Sequence, residues 1–273
     1  MNITPVSAPT PLPPTGTPEL QFINLLEQAV LAPSGHNTQP WLFHLEEDHL
    51  DIIADRTRAL PVVDPLDREL TISCGAALDH LVIAARYHGR DLVIKTCPET
   101  EDSDLLARVW LGSERPPTAS DHAAFSAIQN RRTTRSKFDN RTLPESLSTQ
   151  CLRIAEQFGV ELLLITDRRK RSEIADLVAE GDRRQFADPH FRRELGGWVH
   201  SRRRASRDGM SGNGFGMPDV LSPIGGLVIR TFDLGTGVAA ADVDKIVEGS
   251  PTLALFACRE NTVPDWLATG RAL

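Results

Sequence analysis

The chain has 273 residues, of which 40% are hydrophobic and 25% charged, a composition typical of a globular protein large enough to bury a proper core. Its net charge of −7 argues against general nucleic-acid binding. The four cysteines lie far apart without metal-ligand spacing, so we expect neither a zinc site nor a disulfide framework, and a reduced, cytoplasmic setting fits. No apolar run approaches the roughly 18 residues that a membrane span needs.

The first predicted elements are a proline-rich arm and a helix. Residues 1–18 have no basic-then-apolar pattern, so we interpret them as a flexible or polyproline-like arm and not as a signal peptide. Thr17, Pro18 and Glu19 then supply a capping hydroxyl, a first-turn proline and an early acid, which together predict the start of a helix. The apolar residues of this helix recur on one face, at Phe22, Leu25, Leu26, Ala29 and Val30.

A polar loop connects this helix to a predicted strand. Pro33 ends the helix and Pro40 leads into the strand. Between the two prolines lie small and amide-bearing residues that can offer hydrogen-bonding groups to a flat polar ligand, at Ser34, Gly35, Asn37 and Gln39. On composition alone, an ordinary helix-to-strand connection is the commoner explanation of such a loop.

The rest of the first part of the chain is predicted to place strands around a long helix. Strands are predicted over residues 41–45, 50–54, 92–96 and 105–111. The helix covers residues 68–88, and its small residues Gly75 and Ala76 would permit close approach of another helix or of a ligand. Residues 112–120, with two adjacent prolines, form the best predicted linker.

The second part begins with a short helix that Ser120 can cap and that carries Phe125 and Ile128 on its apolar side. The further predicted elements are a helix opened by Pro144, a buried strand over 160–165, a charged helix over 169–180, strands over 227–231 and 252–258, and a last helix from Trp266. The order of helix and strand echoes the first part only weakly.

Two neighbouring segments have unusual compositions. Residues 182–207 are rich in arginine, and residues 209–216 hold four glycines in eight positions. A solvated helical surface is the simple interpretation of the arginines, and a cationic rim over an anionic ligand is the alternative. We interpret residues 182–218 as a lid-like region.

The loop sequence Ala-Pro-Ser-Gly-His-Asn-Thr-Gln-Pro-Trp over 32–41 resembles a motif of the FMN-dependent nitroreductase family, A-P-S-x-x-N-x-Q-P-W. The resemblance implies a flavin site at an interface between two similar α+β units. It assigns cofactor contacts to the loop residues Pro33, Ser34, Gly35, Asn37 and Gln39, and we add the tight turn Ile224, Gly225 and Gly226.

A run of arginines over 131–135 resembles a second signature of that family, R-R-S-x-R. The resemblance assigns flavin contacts to Arg131, Arg132, Thr133 and Arg135. The chemistry is sensible, because a guanidinium binds a phosphate bidentately and with charge assistance. The alternative is a basic helix end whose arginines complement the helix dipole.

The order of the two motifs is inverted, since the loop precedes the arginines by about ninety residues. This order resembles an actinobacterial branch in which two nitroreductase-like halves are fused, which implies an intramolecular pseudo-dimer with one flavin site. The expected divisions are the arm over 1–18, a first half over 19–115 and a second half over 116–273, which we expect to be truncated at its C-terminus.

Two functions stay open at this stage. The first is a nitroreductase-like oxidoreductase that passes hydride from NAD(P)H through FMN to an electron-poor acceptor, with no catalytic protein residue and no metal. The second is a non-catalytic protein that binds or sequesters FMN under a lid. A binding protein that uses the arginine-rich segment is disfavoured by the acidic total. We expect no nucleic-acid or membrane partner, and either a monomer or a homodimer.

Overall fold

The computed structural model describes residues 17–99, 101–200, 207–211 and 224–273. The helices are α1 (Pro18–Ala29), α2 (Arg68–Tyr87), α3 (Ala119–Asn130), α4 (Glu145–Gln157), α5 (Arg168–Ala187), α6 (Pro189–Trp198), α7 (Gly225–Thr231), α8 (Gly235–Glu248) and α9 (Val263–Ala272). The strands are β1 (Trp41–Leu45), β2 (His49–Ala54), β3 (Arg90–Thr96), β4 (Leu105–Glu114), β5 (Glu161–Ile165), β6 (Val199–His200), β7 (Met210–Ser211) and β8 (Leu253–Ala257). This mixture confirms the predicted α+β class.

Some predicted segments lie outside this description. They include nearly all of the proline-rich arm, part of the arginine-rich segment and most of the glycine-rich loop. The lid-like interpretation of residues 182–218 therefore stays a prediction, although residues 182–198 are helical apart from one residue between α5 and α6. None of the described helices is both long and apolar enough to cross a membrane.

The chain forms two compact units. The described part of the first consists of residues 17–32, 41–54, 77–99 and 101–131, and the second consists of the described parts of 33–40, 55–76 and 132–273. Helix α2 contributes its first nine residues to the second unit and the rest to the first. The predicted division into two similar halves at residue 115 stays a prediction.

The first unit contains a four-stranded antiparallel sheet in the order β1-β2-β4-β3. One face of the sheet belongs to the hydrophobic core. On this face Ile52 lies opposite Ala107, and both residues are buried. On the other face the Arg108 guanidinium donates two hydrogen bonds to the Asp51 carboxylate across the same strand pair, at 2.7 and 2.8 Å. Cross-strand pairs of both kinds fix the register of a sheet, since a slip by one residue would exchange its two faces.

Helix α1 confirms the prediction made from its capping signals. The Thr17 hydroxyl accepts a hydrogen bond from the backbone N–H of Leu20, and Pro18 occupies the first turn. Of the predicted apolar face, Phe22 and Leu25 are fully buried, whereas Val30 is 36% exposed because it lies just beyond the last turn. The helix therefore packs by its apolar stripe, as amphipathic helices in globular proteins generally do.

The second unit contains the crossing of α2 and α9, where the two helix backbones are in contact. A Cβ atom at Gly75 would lie 2.2 Å from the carbonyl oxygen of Leu267, and one at Gly270 would lie 1.9 Å from that of Ile72. No side chain fits at either position. The prediction that small residues in α2 permit close approach is confirmed, and the neighbour is a helix.

The second unit also contains the antiparallel pair β5–β8, in which Leu163 lies opposite Leu255. The continuous apolar run predicted a buried strand, and this prediction is wrong for part of β5, since Leu163 is 43% exposed. Periodicity alone does not tell which side of a short apolar strand the rest of the chain covers.

The predicted strand over residues 227–231 is wrong, because these residues form the second part of α7. Gly226 lies against α6, where an added Cβ would be 2.7 Å from the carbonyl oxygen of Gly196. The helix buries Ile229, which is 2% exposed. Tertiary packing therefore overrides the β-branched composition of this short segment, which propensity does not resolve.

The start of α3 also differs from the prediction. Thr118, and not Ser120, caps the helix, because Thr118 and Asp121 form a reciprocal capping box. The Thr118 hydroxyl accepts from the N–H of Asp121 at 3.2 Å, and the Asp121 carboxylate accepts from the N–H of Thr118 at 2.7 Å. The predicted linker is correspondingly shorter, since β4 continues to Glu114 by pairing with Arg90.

Candidate functional site

The loop over residues 33–40 has an unusual backbone. Three of its residues that are not glycine adopt left-handed conformations, with φ of 47° at His36, 55° at Asn37 and 55° at Gln39. Such a conformation costs roughly 1–2 kcal/mol per residue. Strain of this kind persists only where surrounding contacts hold it, and it is concentrated at ligand sites and switch regions.

Hydrogen bonds hold the first part of the loop against α2. The N–H of Gly35 donates to the Ser73 hydroxyl at 3.3 Å, and that hydroxyl donates to the carbonyl of Glu69 at 2.7 Å. Within the loop, the Ser34 hydroxyl accepts from the N–H of Gln39 at 3.0 Å. Two of the predicted site residues, Ser34 and Gly35, therefore have defined structural partners.

The last residue of the loop is fixed through its carbonyl oxygen. The Pro40 carbonyl accepts from the N–H of Asp55 at 3.0 Å and from the buried thiol of Cys74 at 3.3 Å. Burial raises the pKa of the Cys74 thiol to about 12. Both ends of the loop are thus tied to the segment over 55–76.

The amide side chains of the loop bind the segment over 207–209. Asn37 donates to the carbonyl oxygens of Gly209 and Arg207 at 2.9 and 3.2 Å, and the N–H of Gly209 donates back to the Asn37 carbonyl at 2.9 Å. The Gln39 amide donates to Asn37 Oδ1 at 3.1 Å. These two predicted cofactor residues therefore have partners within the chain, and a ligand would have to exchange with those partners.

Arg58 connects the same elements, although it was not among the predicted site residues. Its guanidinium donates to the carbonyl of Thr38 and to the Asp208 carboxylate, each at 2.8 Å. Asp55 lies 3.4 Å from the same guanidinium, and its other carboxylate oxygen accepts from the N–H and hydroxyl of Thr57. The spacing Asp-x-Thr is an Asx-turn signal that could have indicated this arrangement.

His36 is a further residue that the sequence analysis did not single out. Its Nδ1 atom is buried and has no hydrogen-bond partner among the described residues. Burial, and secondly the charge of Arg135, lower the pKa of His36 to about 4. The imidazole is therefore neutral at physiological pH and carries an unsatisfied polar atom.

A small pocket lies under the loop, beside α2. Gly35, Thr38, Arg58, Glu69 and Ser73 contribute to its lining. The space inside is about 10 Å³, which suits roughly one water molecule and excludes a flavin ring. Burial, and secondly the charge of Asp64, raise the pKa of the Glu69 carboxyl.

The predicted arginine motif follows α3 as an irregular, exposed stretch. Arg131 is the C-cap of α3 in the first unit, and its guanidinium donates to the carbonyl of Leu31 at 3.0 Å. Arg135 belongs to the second unit, like the loop, and its guanidinium lies 3.4 Å from the sulfur of Met210. Arg132 and Thr133 are exposed between them. Arg135 thus contacts the residue that follows Gly209, which is bonded to the loop residue Asn37.

The remaining predicted residues, Ile224, Gly225 and Gly226, lie where α7 begins. Gly225 is buried, and Gly226 contacts α6, so Gly226 serves the packing of the two helices. Ile224 is 46% exposed. Their predicted contact with a cofactor stays a prediction.

Comparisons with known proteins identify several relatives. No model of a protein family matches the chain. The chain is 35% identical to an uncharacterized protein of Mycobacterium tuberculosis over 185 residues, which are 64% of the chain and 53% of that protein. It is 31% identical over 234 residues to an M. tuberculosis protein named "Putative NAD(P)H nitroreductase", covering 85% of the chain and 64% of that protein.

A relative from another genus carries a similar name. The "Probable NAD(P)H nitroreductase PigM" of Serratia sp. is 25% identical over 193 residues, which cover 68% of the chain and 54% of that protein. The chain therefore spans between about half and two thirds of the length of these relatives. Their names support the nitroreductase family that the motifs predicted.

Proposed function

We propose that the chain belongs to the nitroreductase family and is an oxidoreductase that binds FMN and passes hydride from NAD(P)H to an electron-poor acceptor. The observation that carries the proposal is the 31% identity, over 85% of the chain, to a relative named "Putative NAD(P)H nitroreductase". FMN enters through the two sequence motifs. In the second unit, the strained loop over 33–40 and Arg135, which contacts Met210 beside the segment bonded to that loop, are the residues proposed to bind such a ligand.

The residues around the loop suit the chemical groups of FMN. Arg132 and Arg135 would hold its phosphate, because a guanidinium binds phosphate through charge-assisted hydrogen bonds. Ser34, Asn37 and Gln39 would face its polar ring edge after exchange of their present partners. When bound, FMN supplies the two-electron chemistry, so the chain needs no nucleophile of its own. The protein provides binding, orientation and exclusion of water.

A second candidate function is binding of FMN without turnover. The bonds from Asn37 to the segment over 207–209 favour it, because a segment held against the loop would hinder access of a nicotinamide to a flavin bound there. Anaerobic addition of NADH and, separately, of NADPH distinguishes the two functions. Bleaching of the flavin by either nucleotide indicates an oxidoreductase, whereas a coloured protein that neither nucleotide bleaches indicates the second function.

Binding itself is tested by adding FMN to the purified chain, removing the excess by desalting and recording the visible spectrum. We expect a band near ~450 nm, and we expect Arg135→Ala to lose on the order of 1.5–3 kcal/mol of binding free energy, the usual value for a hydrogen bond to a charged group. Arg184→Ala is the matched control, since Arg184 is exposed and paired with Glu180 at 2.7 Å. A folded wild type without flavin, or equal affinities of the two variants, contradicts the proposal.

A further inference from the structure

The starting observation is the environment of His36 in the loop. A buried polar atom without a partner destabilises a folded protein, and native structures contain few such atoms. The Nδ1 atom of His36 is one of them among the described residues. The neighbouring side chains Asn37 and Gln39 are bonded to each other and to the chain, so the same loop satisfies its amides and leaves the imidazole unsatisfied.

The backbone at His36 adds a second, independent cost. With φ of 47° and ψ of 16°, this residue is left-handed, a conformation that glycine adopts without strain. The chain instead places a bulky ring there and buries one of its nitrogen atoms. Two local costs at one residue are typical of a position retained for ligand contact and not for stability.

The charge nearby indicates what kind of ligand atom this nitrogen would meet. The Arg135 guanidinium lies 3.4 Å from the sulfur of Met210. Met210 follows Gly209, which exchanges hydrogen bonds with Asn37, the residue after His36, and the charge of Arg135 acts on the His36 ring. Burial, and secondly this positive charge, keep the ring neutral. A neutral imidazole with a proton on Nδ1 is still a donor. A neutral donor beside a guanidinium is complementary to an anionic oxygen, which accepts from both.

We propose that His36 is a ligand-binding residue, which donates a hydrogen bond from Nδ1 to an anionic oxygen of a phosphate-bearing ligand that Arg135 also contacts. With FMN as the ligand, the inference rests on the function proposed above. Binding of inorganic phosphate by His36 and Arg135 is independent of that function. Nε2 is then the unprotonated nitrogen of the ring, since a neutral imidazole has one proton.

The experiment follows the histidine nitrogens of the full chain by NMR after labelling with ¹⁵N-histidine. FMN is added in one titration and inorganic phosphate in another, and His36→Asn assigns the signal. We expect the His36 Nδ1 signal to become that of a protonated nitrogen with either ligand. Fluorescence quenching of FMN measures affinity in parallel.

Three variants give the affinity comparison. His36→Phe keeps a ring but loses the donor, and we expect it to weaken FMN about 10-fold or more, as for a lost hydrogen bond to a charged group. His36→Asn keeps a donor and tolerates the left-handed backbone, so we expect a smaller loss. His190→Phe is the control, because His190 also lies beside an arginine, Arg193 at 3.0 Å, but on an exposed surface.

The outcomes separate the inference from the proposed function. If FMN binds and the His36 signal does not move, with equal affinity in every variant, the inference is wrong and the FMN function stands. If FMN does not bind and phosphate shifts the His36 signal, the inference that His36 binds an anionic oxygen is supported and the proposed FMN function is wrong. If neither FMN nor phosphate changes the His36 Nδ1 signal, the inference is overturned. If His36→Phe does not fold, the wild-type spectra decide.

Discussion

Replacement of Gly270 by alanine gives the sharpest test of the packing in the second unit. The added Cβ would lie 1.9 Å from the carbonyl oxygen of Ile72, 2.8 Å from its carbonyl carbon and 2.9 Å from the nitrogen of Ala76. All three are backbone atoms, so no change of rotamer relieves the contact and α9 must move away from α2. Overpacking of this kind costs typically 1–3 kcal/mol, and we expect the upper end, about 3 kcal/mol.

A gain in helix propensity opposes that cost. Alanine is better than glycine within a helix by about 1 kcal/mol, so the net destabilisation expected for Gly270→Ala is about 2 kcal/mol. In a domain of 150–250 residues, this corresponds to a melting temperature lower by roughly 4–8 °C. Urea denaturation followed by circular dichroism measures the free energy of unfolding directly.

The control is Gly181→Ala in the middle of α5, where an added Cβ meets nothing within 4 Å. At this position only the higher helix propensity of alanine changes the stability, so we expect the free energy of unfolding to rise by up to about 1 kcal/mol. The two variants make the same chemical change with opposite expected signs. If Gly270→Ala proves as stable as Gly181→Ala, the close contact of α2 and α9 is not present in solution.

Two further predictions concern pH and stoichiometry. Burial lowers the pKa of His80 from its ordinary value of 6.5 to about 4 in the folded state. Between these two values the unfolded chain binds more protons than the folded chain. The free energy of unfolding should therefore fall as the pH decreases from about 6.5 to about 4. His80→Gln should flatten this dependence in urea denaturation curves recorded at several pH values, and an unchanged slope would contradict the reasoning. If the two halves are fused as the motif order implies, a monomer should bind one FMN, which solution mass measurement and flavin quantification test. Flavin found only in dimers would show that the site is intermolecular.

Local signals in the sequence were sufficient for most of the helices and strands. The start of α1 follows from Thr17 and Pro18, and the strands of the first unit follow from alternation, because in both cases the deciding contacts are close in sequence. Thr118 and Asp121 also form such a local signal, since their spacing is that of a capping box.

The features that could not be predicted depend on contacts distant in sequence. The helix α7 depends on Gly196 and Gly226 meeting across two helices, and no periodicity in a seven-residue segment indicates that contact. The bond between Arg58 and Asp208 joins residues 150 positions apart. Burial of a single atom of His36 is likewise a property of the folded loop, and the sequence shows only that a histidine stands there.

The thiol of Cys74 is an intrinsic probe of how often the loop over 33–40 opens. This side chain is fully buried, its hydrogen bond ends on Pro40 at the base of the loop, and its raised pKa leaves almost no thiolate at neutral pH. A thiol reagent can therefore reach Cys74 only during moments when this part of the structure opens. The other three cysteines are half-buried, so their alkylation follows different openings. The kinetics of alkylation at Cys74, followed by mass spectrometry, thus report how often the loop is released, without any added label.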